Sequence, residues 1–294
     1  MRPRRLGYVA MGIALALLGE AAGQQPKLRR VGFLAMRSRP ESLEADFYGE
    51  VPRGLRELGY VEGKDLVVEW RFAGGDYARL PALVSELAAL PVDVIVTDGT
   101  PGTKAALKST ASIPIVFAAA ADPVGDGLVQ SLAHPGGRAT GCALLLNDTS
   151  VKEMELLRSI VPGLSRVGVL WNPGNPSSSR QVEMIKAAAP KLGIAVLAED
   201  ARTPEEIDTA FRSMTAGFRE YTDAGGLMSY GINRRENYHR ASTYVDKILK
   251  GASPGDLPVE QPTKVELVIN RNAAKALALT IPPELLVQAD KVID

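Results

Sequence analysis

Val92-Asp-Val-Ile-Val-Thr97 runs straight into Asp98-Gly-Thr-Pro-Gly-Thr103. The first stretch is a short, strongly β-forming apolar run, and Thr100 before Pro101 is a good N-cap with proline at the first helical position. A strand that feeds a helix this directly is half of a βαβ unit. The same alternation extends outward. Upstream lie a strand at Leu66-Val-Val-Glu-Trp70, a helix over 77–89, a strand at Val31-Gly-Phe-Leu-Ala35 and a helix over 41–58 that stops at Gly59. Downstream lies a fourth strand, Ile113-Pro-Ile-Val-Phe-Ala118. Strands and helices alternating at this length predict a parallel sheet covered on both faces, a doubly wound α/β lobe.

The opening then recurs. Arg30-Val-Gly-Phe-Leu is matched by Arg166-Val-Gly-Val-Leu, and Leu58-Gly59-Tyr60 by Leu192-Gly193-Ile194. Two lobes of like architecture are expected. Between them Pro135-Gly-Gly-Arg-Ala-Thr-Gly141 suits a hinge or crossover, and Ser150-Val-Lys-Glu153 reads as a capping box for a helix through Ile160. The second copy is incomplete. After strands near 167 and 195 and a helix from Pro204 to about Met214, another strand, helix and strand are due. Residues 215–226 are too few and too irregular to supply them. The second lobe is therefore expected to be short by roughly one βαβ unit.

Composition narrows the chemistry. The chain has 294 residues, 34 basic and 34 acidic, without the basic excess of a nucleic-acid binder. Cys142 alone excludes a disulfide framework, and with only His134 and His239 besides, a multi-imidazole zinc site is out of reach. No P-loop and no G-x-G-x-x-G occurs, so no cofactor is expected. Leu227-Met-Ser229-Tyr-Gly231 has leucine where a nucleophile elbow needs glycine. An enzyme is not expected, and neither is a metal. Residues 1–23 read as a cleavable signal peptide: Arg2, Arg4 and Arg5, an uncharged run from Leu6 to Leu18, then Ala21-Ala22-Gly23. No cysteine follows for lipid attachment. A periplasmic chain starting at Gln24 is expected, exported by either the general or the twin-arginine route.

Leu55-Arg-Glu-Leu-Gly-Tyr-Val-Glu-Gly63, Asp122-Pro-Val-Gly125 with Pro135-Gly-Gly137, Gly225-Gly-Leu-Met-Ser-Tyr-Gly231 and Gln261-Pro-Thr-Lys-Val-Glu-Leu-Val-Ile-Asn270 together resemble the ABC-transporter substrate-binding proteins of the tryptophan/tyrosine-uptake type. The resemblance implies the type I periplasmic binding protein fold, two lobes joined by a multi-crossover hinge. It also implies a monomeric receptor that closes on a small molecule and delivers it to an ABC permease in the inner membrane, with no nucleic-acid partner. It places lobe 1 at 28–122 plus 232–252, lobe 2 at 123–226 plus 262–294, and crossovers at 227–231 and 253–261. Family members carry a strand, a helix and a strand where this chain passes from Met214 to Phe218. Three functional readings stay open: an import receptor, a sensory or interaction receptor without transport, and a non-binding remnant.

In open parallel sheets ligands bind beyond the carboxyl ends of the strands, where helix N-termini present free N–H groups. Four such ends supply the candidate ligand-binding residues: Ser38; Thr100, Pro101 and Thr103; Ala120 and Asp122; Asn172 and Asn175. Ser229, in the first crossover, joins them. Plain helix capping is the competing reading for the donors. Asp122 either pairs with a ligand amine or stabilises its own turn before Pro123.

Overall fold

The structure, a computed structural model, describes residues 28–144, 146–216, 227–262 and 264–294. The signal-peptide expectation and most of the 215–226 stretch therefore lie outside the described residues. The chain opens with β1 (Arg29–Ala35), α1 (Glu50–Glu57), β2 (Leu66–Phe72), α2 (Leu80–Ala88), β3 (Val94–Thr97), α3 (Gly99–Ser109), β4 (Ile115–Ala120) and β5 (Ala139–Ala143). These five strands form one parallel sheet in the order β2-β1-β3-β4-β5. Its pleat sorts the side chains into two cores. Val31, Phe33 and Val96 face Tyr48, Val51 and Leu55 on one side, while Leu34, Ile95 and Phe117 face Leu83, Val84 and Leu87 on the other. Both faces are covered, which is why the strands read as near-continuous apolar runs.

The second lobe follows with α4 (Leu146–Ile160), β6 (Arg166–Trp171), α5 (Pro176–Ala188), β7 (Ala195–Asp200) and α6 (Pro204–Ala216). Among the described residues β6 pairs with β7 alone. The chain resumes with β8 (Met228–Gly231), and α7 (Arg234–Leu249) returns to lobe 1 and packs on α1, β4 and β5. β9 (Glu266–Asn270), α8 (Arg271–Ala276), α9 (Pro283–Gln288) and β10 (Lys291–Ile293) finish lobe 2. β9 sits between β8, to which it is antiparallel, and β10, to which it is parallel. The described residues of lobe 2 thus form a two-stranded and a three-stranded sheet instead of one continuous sheet.

Several boundaries differ from the sequence reading. Lobe 1 does not end at Asp122, because β5 adds a fifth strand to its sheet. Nor is 253–261 a free crossover. Glu260 bridges Cys142, and Val259 is buried in the lobe 1 core. The chain therefore passes between lobes near 144–146, 231–233 and 261–265. The helix expected over 41–58 is confined to α1, preceded by a single 3-10 turn at Phe47–Gly49 that the Asp46 side chain caps through the Tyr48 amide. α4 starts a turn ahead of Ser150, so that serine lies inside the helix and is no capping box. Among the described residues no helix is long and apolar enough to cross a membrane.

Candidate functional site

The carboxyl ends of β3 and β4 and the loop after β4 form one wall of the cleft between the lobes, and the end of β6 with the first turn of α5 forms the other. Gly99 makes the turn from strand to helix with a φ of +75°, a conformation costly for any residue with a Cβ. α3 consequently begins at Gly99 with Asp98 at the N-cap position, and Thr100 sits within its first turn instead of capping it. Asp98 makes no cap bond from its side chain. Its carboxylate accepts from the hydroxyls of Tyr48 and Tyr238, buried beneath the sheet end. Burial, followed by the charge of Asp98, holds both phenols above their usual range. Burial likewise raises Tyr77 on the same wall, with the Asp98 charge second.

Across the cleft Asn175 caps α5, accepting from the Ser177 amide at 3.1 Å, with Pro176 at the first helical position. This aims Ser177 and Arg180 at lobe 1. Their target is Asp126, on the loop between β4 and β5, whose side chain is 1% exposed. Ser177 Oγ donates to Asp126 Oδ2 at 2.8 Å, and Thr100 Oγ1 lies 3.2 Å from the same oxygen and 3.1 Å from Ser177 Oγ. The Arg180 guanidinium donates to the other carboxylate oxygen and stands 3.4 Å from Asp122. Lys104 Nζ lies 3.6 Å from Asp126 on the far side. A buried carboxylate thus rests between the first turns of two helices, where both positive dipole ends favour it. The helix ends expected to receive a ligand anion hold the protein's own anion, and it clasps the lobes together. Tyr77 closes the same edge, since a Cβ at Gly174 of lobe 2 would stand 3.1 Å from its ring.

Of the candidates from sequence, Thr100 and Asp122 meet at this clasp. Asp122 does two things at once: Oδ1 accepts from the Gly125 amide at 2.8 Å and holds its turn, while Oδ2 faces Arg180. Asn172 accepts from the Gly174 amide at 2.8 Å and shapes the loop into α5. Pro101 is buried in the first turn of α3, and Ala120 ends β4 with its carbonyl accepting from Leu144. Ser38 lies exposed beyond β1, beside the Gly74 turn. Two candidates point elsewhere. Thr103 turns into lobe 1, bonded to the Gly99 carbonyl and Thr97 Oγ1 at 2.8 Å each, and Ser229 faces the space between the two sheets of lobe 2. Asp126, Ser177, Arg180 and the Asp98–Tyr48–Tyr238 group were not singled out from sequence. The only cue to Asp126 is its place in the turn Pro123-Val-Gly-Asp-Gly127, directly after a strand end.

The chain resembles proteins of known kind. It is 26% identical over 258 residues to a "Tyrosine-binding protein" of Clostridioides difficile, covering 76% of this chain and 74% of that one. An ABC domain from Streptococcus pneumonia, solved in complex with L-Trp, superposes with a TM-score of 0.78 at 28% identity, covering 90% of this chain and 99% of the other. A conserved domain protein from Vibrio cholerae gives 0.80 at 28% identity over 90% and 100%. The fold is that of the type I periplasmic binding proteins. The family of ABC transporter substrate binding proteins matches residues 40–219 and 216–293, and the chain belongs to it.

Proposed function

We propose that the chain is the receptor component of an importer, closing its lobes on a small molecule and delivering it to a membrane permease from the periplasmic side. The observation that carries this reading is the clasp. Thr100 and Asp126 of one lobe meet Ser177 and Arg180 of the other across a cleft lined by strand ends and helix N-termini. A cleft held shut by a few polar contacts is built to open, and the three crossings between lobes are where a hinge would bend. An amino acid is the ligand class we favour, because the named relatives are associated with L-Trp and tyrosine. Lobe 1 also presents half-buried Phe47, Phe72 and Tyr77 with Arg37 stacked 4.3 Å over the Phe47 ring, a mixture suited to an aromatic side chain and a carboxylate. A thermal-shift screen of the purified chain against the standard amino acids tests this. At about 100 times the dissociation constant a true ligand adds about 2.7 kcal/mol of stability. No shift with any amino acid would remove the ligand class. Uptake of the hit by vesicles carrying the cognate permease, present only with the receptor, tests delivery.

One observation favours a second reading, a remnant that no longer binds in the cleft. The described residues of lobe 2 form two separate sheets, and the family match breaks at 216–219, between α6 and β8. The 258-residue match to the Clostridioides difficile protein also draws on only 76% of these 294 residues, so part of that relative has no counterpart here. If a family-like strand, helix and strand inserted after Met214 creates amino-acid binding that the natural chain lacks, the remnant reading is correct.

A further inference from the structure

Where the sheet of lobe 2 is broken, two strand edges face one another across a cavity of about 570 Å³. One edge is β6, through Val167–Leu170, and the other is β8, with the residue before it, through Leu227–Tyr230. Met154 and Leu157 of α4 and Ile185 of α5 close it from below. In lobe 1 the corresponding side of β1 is taken by β3, then β4, then β5. Among the described residues β6 has no strand partner on that side in lobe 2, and β8 none on the side away from β9. A row of unpaired backbone N–H and C=O groups is a template for another strand.

The chemistry of these edges sets them apart from the outer ones. Three outer edges carry charge, Glu69 and Arg71 on β2, Glu199 and Asp200 on β7, Lys291 on β10, and the uncharged outer edge of β5 is covered where Cys142 bridges Glu260. Such charges keep foreign strands off. Val167–Leu170 and Leu227–Tyr230 contain neither a charge nor a proline. One charged group does reach the cavity. Glu153 of α4 lines it with no hydrogen bond or ion pair among the described residues, and burial raises its carboxyl above the usual range. Desolvation disfavours the bare carboxylate there, and a cation brought beside it would restore the charged form.

We propose that this slot is a binding site for an extended peptide strand, independent of the cleft between the lobes. The peptide adds to the β6 edge as β3 adds to β1. Alternate apolar side chains turn down onto Met154, Leu157 and Ile185, and a lysine or arginine reaches Glu153. The peptide's backbone supplies affinity and the alternating pockets supply selectivity, the logic of strand addition to an exposed sheet edge. A folded second copy does not fit the same place, because its edge strand would bring its own sheet and helices into a gap already walled by α4 and α5.

The probe is acetyl-Lys-Val-Ile-Val-Thr-Lys-amide, which copies β3 between two lysines, titrated by calorimetry into the purified chain. Saturable binding at about 100 µM or tighter is expected, with hydrogen-exchange protection gained at residues 167–170 and 227–230. The same peptide N-methylated at two alternate amides cannot complete a ladder and is expected not to bind. Exchanging its lysines for glutamates, or substituting Glu153→Gln in the protein, is expected to weaken binding about fivefold, the scale of a partly exposed ion pair. Saturating L-tryptophan should leave the peptide affinity unchanged, which separates failure here from failure of the receptor reading. The proposal is overturned by absence of saturable binding at millimolar peptide, by equal binding of the N-methylated peptide, or by protection that appears in the cleft instead.

Discussion

Asp98 shows how much a single buried carboxylate can organise. It follows β3, precedes the first turn of α3, and gathers hydroxyls from Tyr48 and Tyr238, the latter 140 residues away in sequence. Removing one donor leaves a buried acceptor short, so Tyr238→Phe should lower unfolding free energy by about 1–3 kcal/mol in urea titrations. Tyr238→Phe and Asp98→Asn combined should cost less than their sum, since they share one bond. Cys142 gives a second residue-scale test. It is 2% exposed, and burial pushes its thiol up to about 12, against about 8.5 for a free cysteine. Above the lower value the unfolded chain releases a proton that the folded chain keeps. Stability is therefore full below about pH 8.5 and falls toward pH 12 by up to about 1.4 kcal/mol per pH unit from this group. Cys142→Ala should flatten that alkaline slope, and thiol reagents should label the native protein only as fast as it unfolds. At this scale the sequence was partly legible. Asn175 is recognisable from local capping rules, whereas the same rules place Thr100 at a cap when it lies inside the first turn of α3. Asp126 and Ser177 are not recognisable, because their bond joins positions 51 residues apart and no local rule selects the partner.

The elements are unequally secured. β3, β4 and β5 are buried along their whole length, whereas no residue of β6 or β7 is. Two strands form a marginal sheet, and α6 lies over them with Ile207 and Phe211 left 38% and 50% exposed. Hydrogen exchange should therefore run unevenly, with residues 31–118 well protected and 195–216 exchanging early. Substitutions should follow the same division. Phe211→Ser should change stability by no more than about 0.5 kcal/mol, while Phe117→Ala should cost about 3–5 kcal/mol. Equal exchange in both regions would mean that β6 and β7 are held by packing that their exposure does not show. The apolar runs of β1, β3 and β4 are readable because burial on both faces demands them, and β6 is readable from its likeness to β1 although none of its residues is buried. β5 was missed because Ala-Thr-Gly-Cys-Ala carries no such run. Its strand character comes from the ladder that β4 offers, and Gly141 is required there because a Cβ would strike the Phe117 carbonyl. The helix assigned over 41–58 was too long for a related reason: Asp46 competes for the backbone and starts the helix afresh.

For the whole molecule the clasp and the hinge set the equilibrium between closed and open forms. Arg180→Ala removes the cation that spans Asp122 and Asp126 and leaves the latter buried with fewer partners. The open form should gain population, read as a larger radius of gyration in solution scattering, while lobe 1 keeps its exchange protection. An unchanged radius would mean that the three chain crossings, not the clasp, hold the lobes. The two-lobe plan was visible in the repeat of Arg30–Leu34 at Arg166–Leu170, but the lobe boundary was not, because β5 and residues 253–261 join lobe 1 only through pairings distant in sequence. The late return of α7 has a consequence for how the molecule is made. Tyr238, Ala241 and Val245 complete a core whose other members begin at Val31. A chain emerging amino terminus first has Asp98 exposed long before Tyr238 exists, and at about 5–20 residues per second the 140 residues between them take roughly 10–30 s to synthesise. Throughout that interval one face of the first sheet is covered only in part, by Tyr48 and α1, so a nascent chain halted before Arg234 is a client for whatever shields apolar surface, and a finished one is not.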